Sequence, residues 1–401
     1  MRSEWKRYKV SDLGKVVTGK TPKTANAEYY GGNIPFLTPS DDMSVKYVLS
    51  TTKTITEVGK NTVKNSIIPK NSICVSCIGS DLGKVVITTK ETVTNQQINS
   101  VVLNTELFDV DFVYYAMVIL GKVLNYHSKT STAVPIVNKS TFSQYEVLCP
   151  KLSEQKRIAK ILSDIDDKIA INTSINENLE QQAQALFKSW FVDFEPFGGV
   201  MPDDWSMGTI SELSSEIICG KTPSTKKKEY YGDYMPFITI PDMHNSVYVT
   251  ATERYLSELG TGSQTKKTLP ANSICVSCIG TAGLVSLTAV DSQTNQQINS
   301  IIPKKGHSPY YIFLLMQTFS EKINRLGQSG STIVNLNKFQ FGMMEALIPS
   351  IEAMTDFDNI AKPLFEQILA NRYENQRLAA LRDTLLPKLM KGEIDVSAVK
   401  I

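Results

Sequence analysis

From Ser153 to Phe191 the apolar positions recur as Ile158, Leu162, Ile165 and Ile169, then as Leu179, Ala183 and Leu186. That alternating four-and-three spacing predicts a helix with one apolar seam, and Asn172 and Asn176 fall on the same stripe. A second run repeats the device 199 residues later, with Phe357, Ala361, Leu364, Ile368, Asn371, Asn375, Leu378 and Leu385 at the matching positions. Two seams with asparagines at equivalent places are expected to pack on each other as a coiled coil, the asparagines marking the register. If all 39 residues from Ser153 are helical, the first helix is about 58 Å long at ~1.5 Å per residue. Pro363 is expected to kink the second helix or mark its beginning, and Pro387 and Gly392 to end it.

Outside these runs the pattern is short and punctuated. Strands are predicted around Tyr8–Val10, Phe36–Thr38, Ile73–Ile78, Val85–Thr88 and Tyr145–Leu148, between Gly, Pro and Asn turns. Phe112, Tyr115, Ala116, Ile119 and Val123 give the segment Asp111–Leu124 one apolar helical face. Pro150 closes this lobe, and the Pro- and Gly-rich stretch from Glu195 to Asp204 reads as a linker.

The chain then repeats itself. Gly-Lys-Thr-Pro at 19–22 returns at 220–223, and Glu-Tyr-Tyr-Gly at 28–31 returns at 229–232. Asn-Ser-Ile-Cys-Val-Ser-Cys-Ile-Gly at 71–79 and Thr-Asn-Gln-Gln-Ile-Asn-Ser at 94–100 return unchanged at 272–280 and 294–300. The predicted organisation is therefore a tandem duplication: a mixed α+β lobe at 1–150, a helix and linker at 151–197, a second lobe at 198–348 and a second helix at 349–401.

Length changes the picture little: 401 residues exceed one ordinary core and agree with two domains. No apolar run approaches the ~20 residues of a membrane helix and the charged N-terminus has no apolar stretch of a leader, so a cytoplasmic protein without a membrane role is expected. The net charge of +2 hides a gradient. Basic against acidic residues number 17 and 12 in 1–150, 6 and 8 in 151–197, 12 and 12 in 198–348, and 7 and 8 in 349–401, giving +5, −2, 0 and −1. A basic first lobe points weakly to a polyanion.

Candidate chemistry is sparse. Two Cys-x-x-Cys pairs, Cys74/Cys77 and Cys275/Cys278, suggest a zinc site, but strand residues three apart face opposite ways, so buried thiols are expected and no metal. Gly14 to Thr21 formally matches the phosphate-loop pattern G-x-x-x-x-G-K-[ST], which would make Lys20 the core of an ATPase. Ser215 replaces the first glycine in the second copy and Pro22 stands where a helix should propagate, so a turn is the better reading. His127, His244 and His307 occupy non-equivalent positions, and no catalytic set is repeated.

What the lobes do share is polar and basic side chains in turns and loops. In the first these are Lys20, Thr21, Lys23, Thr38, Ser40, Asp41, Lys129, Ser131 and Thr132; in the second, Lys221, Thr222, Lys226, Lys227, Thr239, Asp242, Gln328, Ser331 and Thr332. Such groups hold phosphates and read base edges. Gln96-Gln97 and Gln296-Gln297 would suit adenine, but their unchanged flanks predict a structural network instead.

The Gly-Lys-Thr-Pro turn, Tyr-Tyr-Gly-Gly, the Thr-Pro-Ser-Asp-Asp step at 38–42, the Pro-Lys-Leu-Ser-Glu-Gln run at 150–155, the helix end Leu-Phe-Lys-Ser-Trp-Phe-Val-Asp-Phe at 186–194 and the terminal Leu-Leu-Pro-Lys-Leu-Met-Lys-Gly at 385–392 resemble the specificity subunit of type I restriction-modification systems. The resemblance covers the whole chain. It implies two pseudo-symmetric target-recognition domains separated by two long antiparallel helices, each domain reading half of a bipartite double-stranded DNA target. It also implies a chain without catalysis of its own, docked to two methyltransferase subunits and to restriction subunits. S-adenosylmethionine, ATP and Mg would be held by those partners. Asn172, Asn176, Asn371 and Asn375 would then set the helix register and with it the unread gap, and the shared lobe sequences would give similar, inverted half-sites about one helical turn apart, ~34–36 Å. The competing readings are a helical scaffold that never touches DNA and the ATPase on Lys20.

Overall fold

The protein is described from a computed structural model, which covers residues 5–79, 82–129, 136–326 and 336–400. The first lobe runs β1 (Lys6–Lys9), α1 (Val10–Leu13), β2 (Gly14–Thr18), β3 (Tyr30–Leu37), β4 (Tyr47–Val48), β5 (Lys53–Ile55), α2 (Glu57–Asn61), β6 (Ile67–Ile68), β7 (Ile73–Ser76), β8 (Val85–Thr88), β9 (Thr92–Thr94), β10 (Ile98–Leu103), α3 (Val110–Lys129), α4 (Lys139–Gln144) and β11 (Glu146–Cys149). The helix α5 (Leu152–Phe191) follows. The second copy runs β12 (Ser206–Thr209), α6 (Ile210–Leu213), β13 (Ser214–Cys219), β14 (Tyr231–Gly232), β15 (Met235–Ile238), α7 (Ile240–Met243), β16 (Tyr248–Val249), β17 (Tyr255–Leu256), α8 (Glu258–Gly262), β18 (Ile274–Ser277), β19 (Val285–Thr288), β20 (Gln293–Thr294), β21 (Ile298–Pro303), α9 (Pro309–Thr318), α10 (Ser320–Leu326), α11 (Lys338–Gly342), β22 (Glu345–Ile348) and α12 (Ile351–Met390).

The duplication extends to topology. Each lobe builds a five-stranded sheet, in the orders β2-β10-β7-β8-β4 and β13-β21-β18-β19-β16, and a four-stranded one, β5-β3-β9-β6 and β14-β17-β15-β20. A two-stranded pairing, β1-β11 or β12-β22, closes the lobe on itself. The central strands are buried on both faces because both copies of Ile-Cys-Val-Ser carry only small or apolar side chains there. Ser100 Oγ donates to Cys74 Sγ at 3.4 Å, and burial pushes the Cys74 and Cys77 thiols up to about 12 and 11. The corresponding thiols of Cys275 and Cys278 are likewise pushed up by burial, to about 12 and 11. Among the described residues no group of three or more His, Cys, Asp or Glu side chains is placed to hold a metal.

The chain divides into two compact units, Met1–Lys168 with Leu378–Ile401, and Ile169–Arg377, so each long helix contributes one part to each unit. In the first unit Ile158, Ala159 and Leu162 of α5 and Leu386, Leu389 and Met390 of α12 join the core of α3 around Phe112 and Met117. In the second, Ala183, Phe187 and Phe191 of α5 and Phe357, Ala361 and Phe365 of α12 pack with Tyr310, Tyr311 and Phe313 of α9. In the second unit the two helix segments run antiparallel, as the pairs Asn172–Asn375 and Asn176–Asn371 require.

Pro363 does not begin the second helix, and Pro387 does not end it. α12 is continuous through both Pro363 and Pro387 and ends at Met390. Pro363 and Asn359 both lie on the exposed side, so the carbonyl deprived of its N–H partner faces water, which lowers the cost of the missing bond. The end itself is made at Gly392, whose φ of 67° lies in the left-handed region and whose added Cβ would meet Trp5 at 3.0 Å. The five predicted strands hold within a few residues, but β2, β4, β5, β6, β9 and β10 were not predicted; of these Gly14–Thr18, weighed as a nucleotide loop, is the edge strand β2. No helix follows Lys20 before the single turn at Ala27–Tyr29, so the backbone lacks the phosphate cradle an ATPase needs.

Candidate nucleic-acid interface

One end of the five-stranded sheet gathers four connections in each lobe. Thr18 at the end of β2 lies opposite Asn99, and Ser76 at the end of β7 lies opposite Ile98, so residues 19–22, 77–79 and 95–97 emerge together. The fourth is the Thr38-Pro-Ser step, joined through the parallel pairing of Leu37 with Thr94 and the bond from Asn95 N to Leu37 O at 3.0 Å. Val137 and Leu336 are anchored at the same end. Val137 N donates to Cys77 O at 2.8 Å, and in the second lobe Leu336 N donates to Cys278 O at 3.1 Å.

The glycine of Gly-Lys-Thr-Pro is dictated by this crowding. A Cβ on Gly19 would lie 2.0 Å from the Asn95 carbonyl oxygen, and one on Gly220 would lie 2.1 Å from that of Asn295. With no side chain in the way, Lys20 N donates to Thr94 O at 2.8 Å and Lys221 N to Thr294 O at 2.9 Å. The hydroxyl of Tyr30 donates to Pro22 O at 2.8 Å and that of Tyr231 to Pro223 O at 2.9 Å, which explains why Tyr-Tyr-Gly travels with the turn. The turn is thus fixed from both ends and presents exposed Lys20 or Lys221 to solvent.

The glutamines of the facing turn divide their labour. Asn95 Nδ2 donates to Gln97 Oε1 at 2.9 Å while Gln97 N donates to Asn95 Oδ1 at 3.1 Å, and Asn295 with Gln297 repeats the pair at 3.0 Å for both bonds. Those are the structural network expected of the unchanged flanks. Gln96 and Gln296 are different: both are exposed, and they take the Thr21 and Thr222 hydroxyls on Oε1 at 2.7 and 2.6 Å. The outward glutamine was hidden in the sequence because it shares one repeated block with its half-buried neighbour.

The pattern of matches now decides the family. The model for the type I restriction modification DNA specificity domain matches residues 2–181 and again 202–381. The chain belongs to the type I restriction-modification specificity family. It is 33% identical to the HindI specificity subunit of Haemophilus influenzae, covering 98% of this chain and 100% of that one, and 26% identical to the MjaIX specificity subunit of Methanocaldococcus jannaschii, covering 98% and 94%. The crystal structure of a type I S subunit from M. genitalium has the same fold, with a TM-score of 0.60 at 16% identity over 97% of this chain and 96% of that one.

Within this specificity-family frame the predicted DNA-contacting residues sort unevenly. Lys20, Lys23 and Ser40 are exposed in the first lobe, as is Lys129 at the end of α3; Lys221, Lys226 and Lys227 are exposed in the second. The Lys227 ammonium bonds the Tyr230 hydroxyl at 3.0 Å. Thr38, Asp41, Thr239 and Asp242 are engaged within their own lobes. Thr38 N and Thr52 N donate to Asp41 at 2.8 and 2.7 Å, and Thr239 N and Glu253 N donate to Asp242 at 2.7 and 2.8 Å. Their Thr38 and Thr239 hydroxyls bond the same carboxylates at 3.0 and 2.7 Å, so both pairs are latches within the lobe. Burial pushes the Asp41 carboxyl up, but the amides and hydroxyls of Thr52 and Thr38 outweigh it and hold the group below its ordinary range. Ser131, Thr132, Gln328, Ser331 and Thr332 lie outside the described residues.

Proposed function

We propose that this chain is the sequence-reading subunit of a type I restriction-modification complex, each lobe reading one half of a bipartite double-stranded DNA target. The observation that carries this is the duplication of one face. The same Gly-Lys-Thr-Pro and Asn-Gln-Gln turns close on each other at the same sheet end in both lobes, with a lysine exposed beside them. A cation next to fixed polar side chains suits the combination of phosphate positioning and base readout. Shared framework and differing turn residues support half-sites that are similar, inverted and unequal in detail.

Catalysis belongs to partners in this account. The chain docks two methyltransferase subunits, and restriction subunits where the system has them; S-adenosylmethionine, ATP and Mg are theirs. Docking falls to the long helices, whose segments 151–197 and 349–401 carry a net acidic balance and which offer, on α5, an open apolar strip containing Ile171 and Ile175, 55% and 41% exposed. Among the described residues no helix is long and apolar enough to cross a membrane; the proposed place of work is the cytoplasm, with the DNA. The scaffold alternative accounts for the helices but leaves the duplicated lysine-bearing face without a use.

The experiment is modified-base sequencing of a host that carries this chain with its methyltransferase partner. A single bipartite motif with a fixed gap is expected. Assembly of the complex without sequence-restricted methylation would return the chain to the scaffold class.

A further inference from the structure

The outward glutamines have a geometry that a latch alone does not require. Gln96 is exposed at the tip of a turn whose backbone is held by Asn95, by Cys77 N donating to Gln97 O at 2.7 Å, and by the close approach of Gly19. Its Oε1 accepts from Thr21, and among the described residues its Nε2 has no partner. The second lobe repeats every one of these contacts around Gln296 and Thr222, with Cys278 N donating to Gln297 O at 2.8 Å. An amide whose oxygen is already engaged presents its two N–H groups as free donors, and an immobilised donor loses little entropy on binding.

We propose that Gln96 and Gln296 each read a major-groove acceptor edge, guanine N7 and O6, at the equivalent step of the two half-sites, and that Thr21 and Thr222 are the positioning residues that aim them. This rests on the DNA-reading function proposed above. Adenine and cytosine offer an amino donor at the corresponding edge, which faces an N–H group unfavourably. Because the pair is the same in both lobes, the same base is read twice. The neighbouring segments differ, Lys23-Thr-Ala-Asn-Ala27 against Ser224-Thr-Lys-Lys-Lys228, and supply the difference between the half-sites.

The test uses the full chain assembled with its methyltransferase partner, with methylation scored on a library of targets. Gln96→Ala is expected to relax one G·C position of one half-site by roughly 5- to 150-fold in discrimination and to leave the other half unchanged, the range a good base contact commands. Gln296→Ala does the same at the equivalent position of the other half. Thr21→Val relaxes that first position more weakly, and Thr21→Ser restores it. Gln96→Glu keeps the shape but replaces donors by acceptors, and is expected to turn preference away from guanine. A wild-type motif without G·C at equivalent steps overturns the proposal, as does an even loss of methylation at all targets with the motif intact. A wild-type complex that methylates without any bipartite motif defeats the underlying function instead.

Discussion

Asn172 Nδ2 donates to Asn375 Oδ1 at 2.9 Å across the seam between α5 and α12, and both residues come from the polar interruptions of the two apolar stripes. Asn172, only 1% exposed, also donates to Glu374 at 2.7 Å, and Asn371 Nδ2 donates to Asn176 Oδ1 at 2.8 Å one turn along. A shift of either helix by one turn would bury these amides against apolar neighbours. Asn172→Ala should destabilise the second unit by about 1 kcal/mol in urea unfolding, because it removes two hydrogen bonds to the half-buried Glu374 and Asn375. Changing Asn172 and Asn375 together to Leu should recover that loss while weakening the preference for a single register. An unaltered midpoint for the single variant would deny the asparagines that role.

The first unit uses charge between its segments of α5 and α12. Arg382 reaches Asp166 at 2.8 Å, and the Tyr115 hydroxyl donates to the same carboxylate at 2.6 Å. Asp166 is 14% exposed as a side chain. Arg382→Ala should therefore cost on the order of 2–3 kcal/mol, below the full penalty for a buried pair since both groups keep some water. Limited proteolysis should show the first lobe opening before the second; simultaneous loss of both would contradict the local character of this pair.

Asp41 makes stability depend on acid. Its folded carboxyl lies below the ordinary range, so its contribution is complete above the unfolded value, about 4, and disappears as pH falls through the folded value. The difference in unfolding free energy between wild type and Asp41→Asn should be constant from about pH 5 upward and shrink below about pH 4. A difference that grows in acid would reverse the sign assigned here.

The apolar strip on α5 is the proposed docking surface. Ile171→Glu with Ile175→Glu should leave far-ultraviolet dichroism and melting unchanged, since both side chains are largely exposed, and should weaken binding of the methyltransferase subunit at least tenfold in titration, as charged groups at an interface core do. Full retention of affinity would move the docking surface elsewhere.

Much of this molecule was legible from residue order because duplication and seam spacing are direct records of packing. The seam positions Ile158, Leu162 and Phe357 are buried where the spacing put them, and the asparagine pairs meet. Gly14–Thr18 escaped because its pairing partners in β10 lie 81 to 89 residues ahead and a short edge strand looks like any turn-flanked stretch. Asp41 and Asp242 looked like loop acids because what occupies them, the amides of Thr52 and Glu253, are backbone groups that no sequence pattern reveals. Pro363 misled because the rule that proline breaks helices omits which side of the helix the orphaned carbonyl faces.

The central claim is that each lobe reads its own half of the target, and exchanging a lobe tests it most directly. A chain in which residues 206–348 are replaced by a second copy of 6–149, assembled with the methyltransferase partner, should methylate a motif whose second half is an inverted copy of the first, with the gap unchanged. Methylation that persists at the original pair of half-sites would contradict the account.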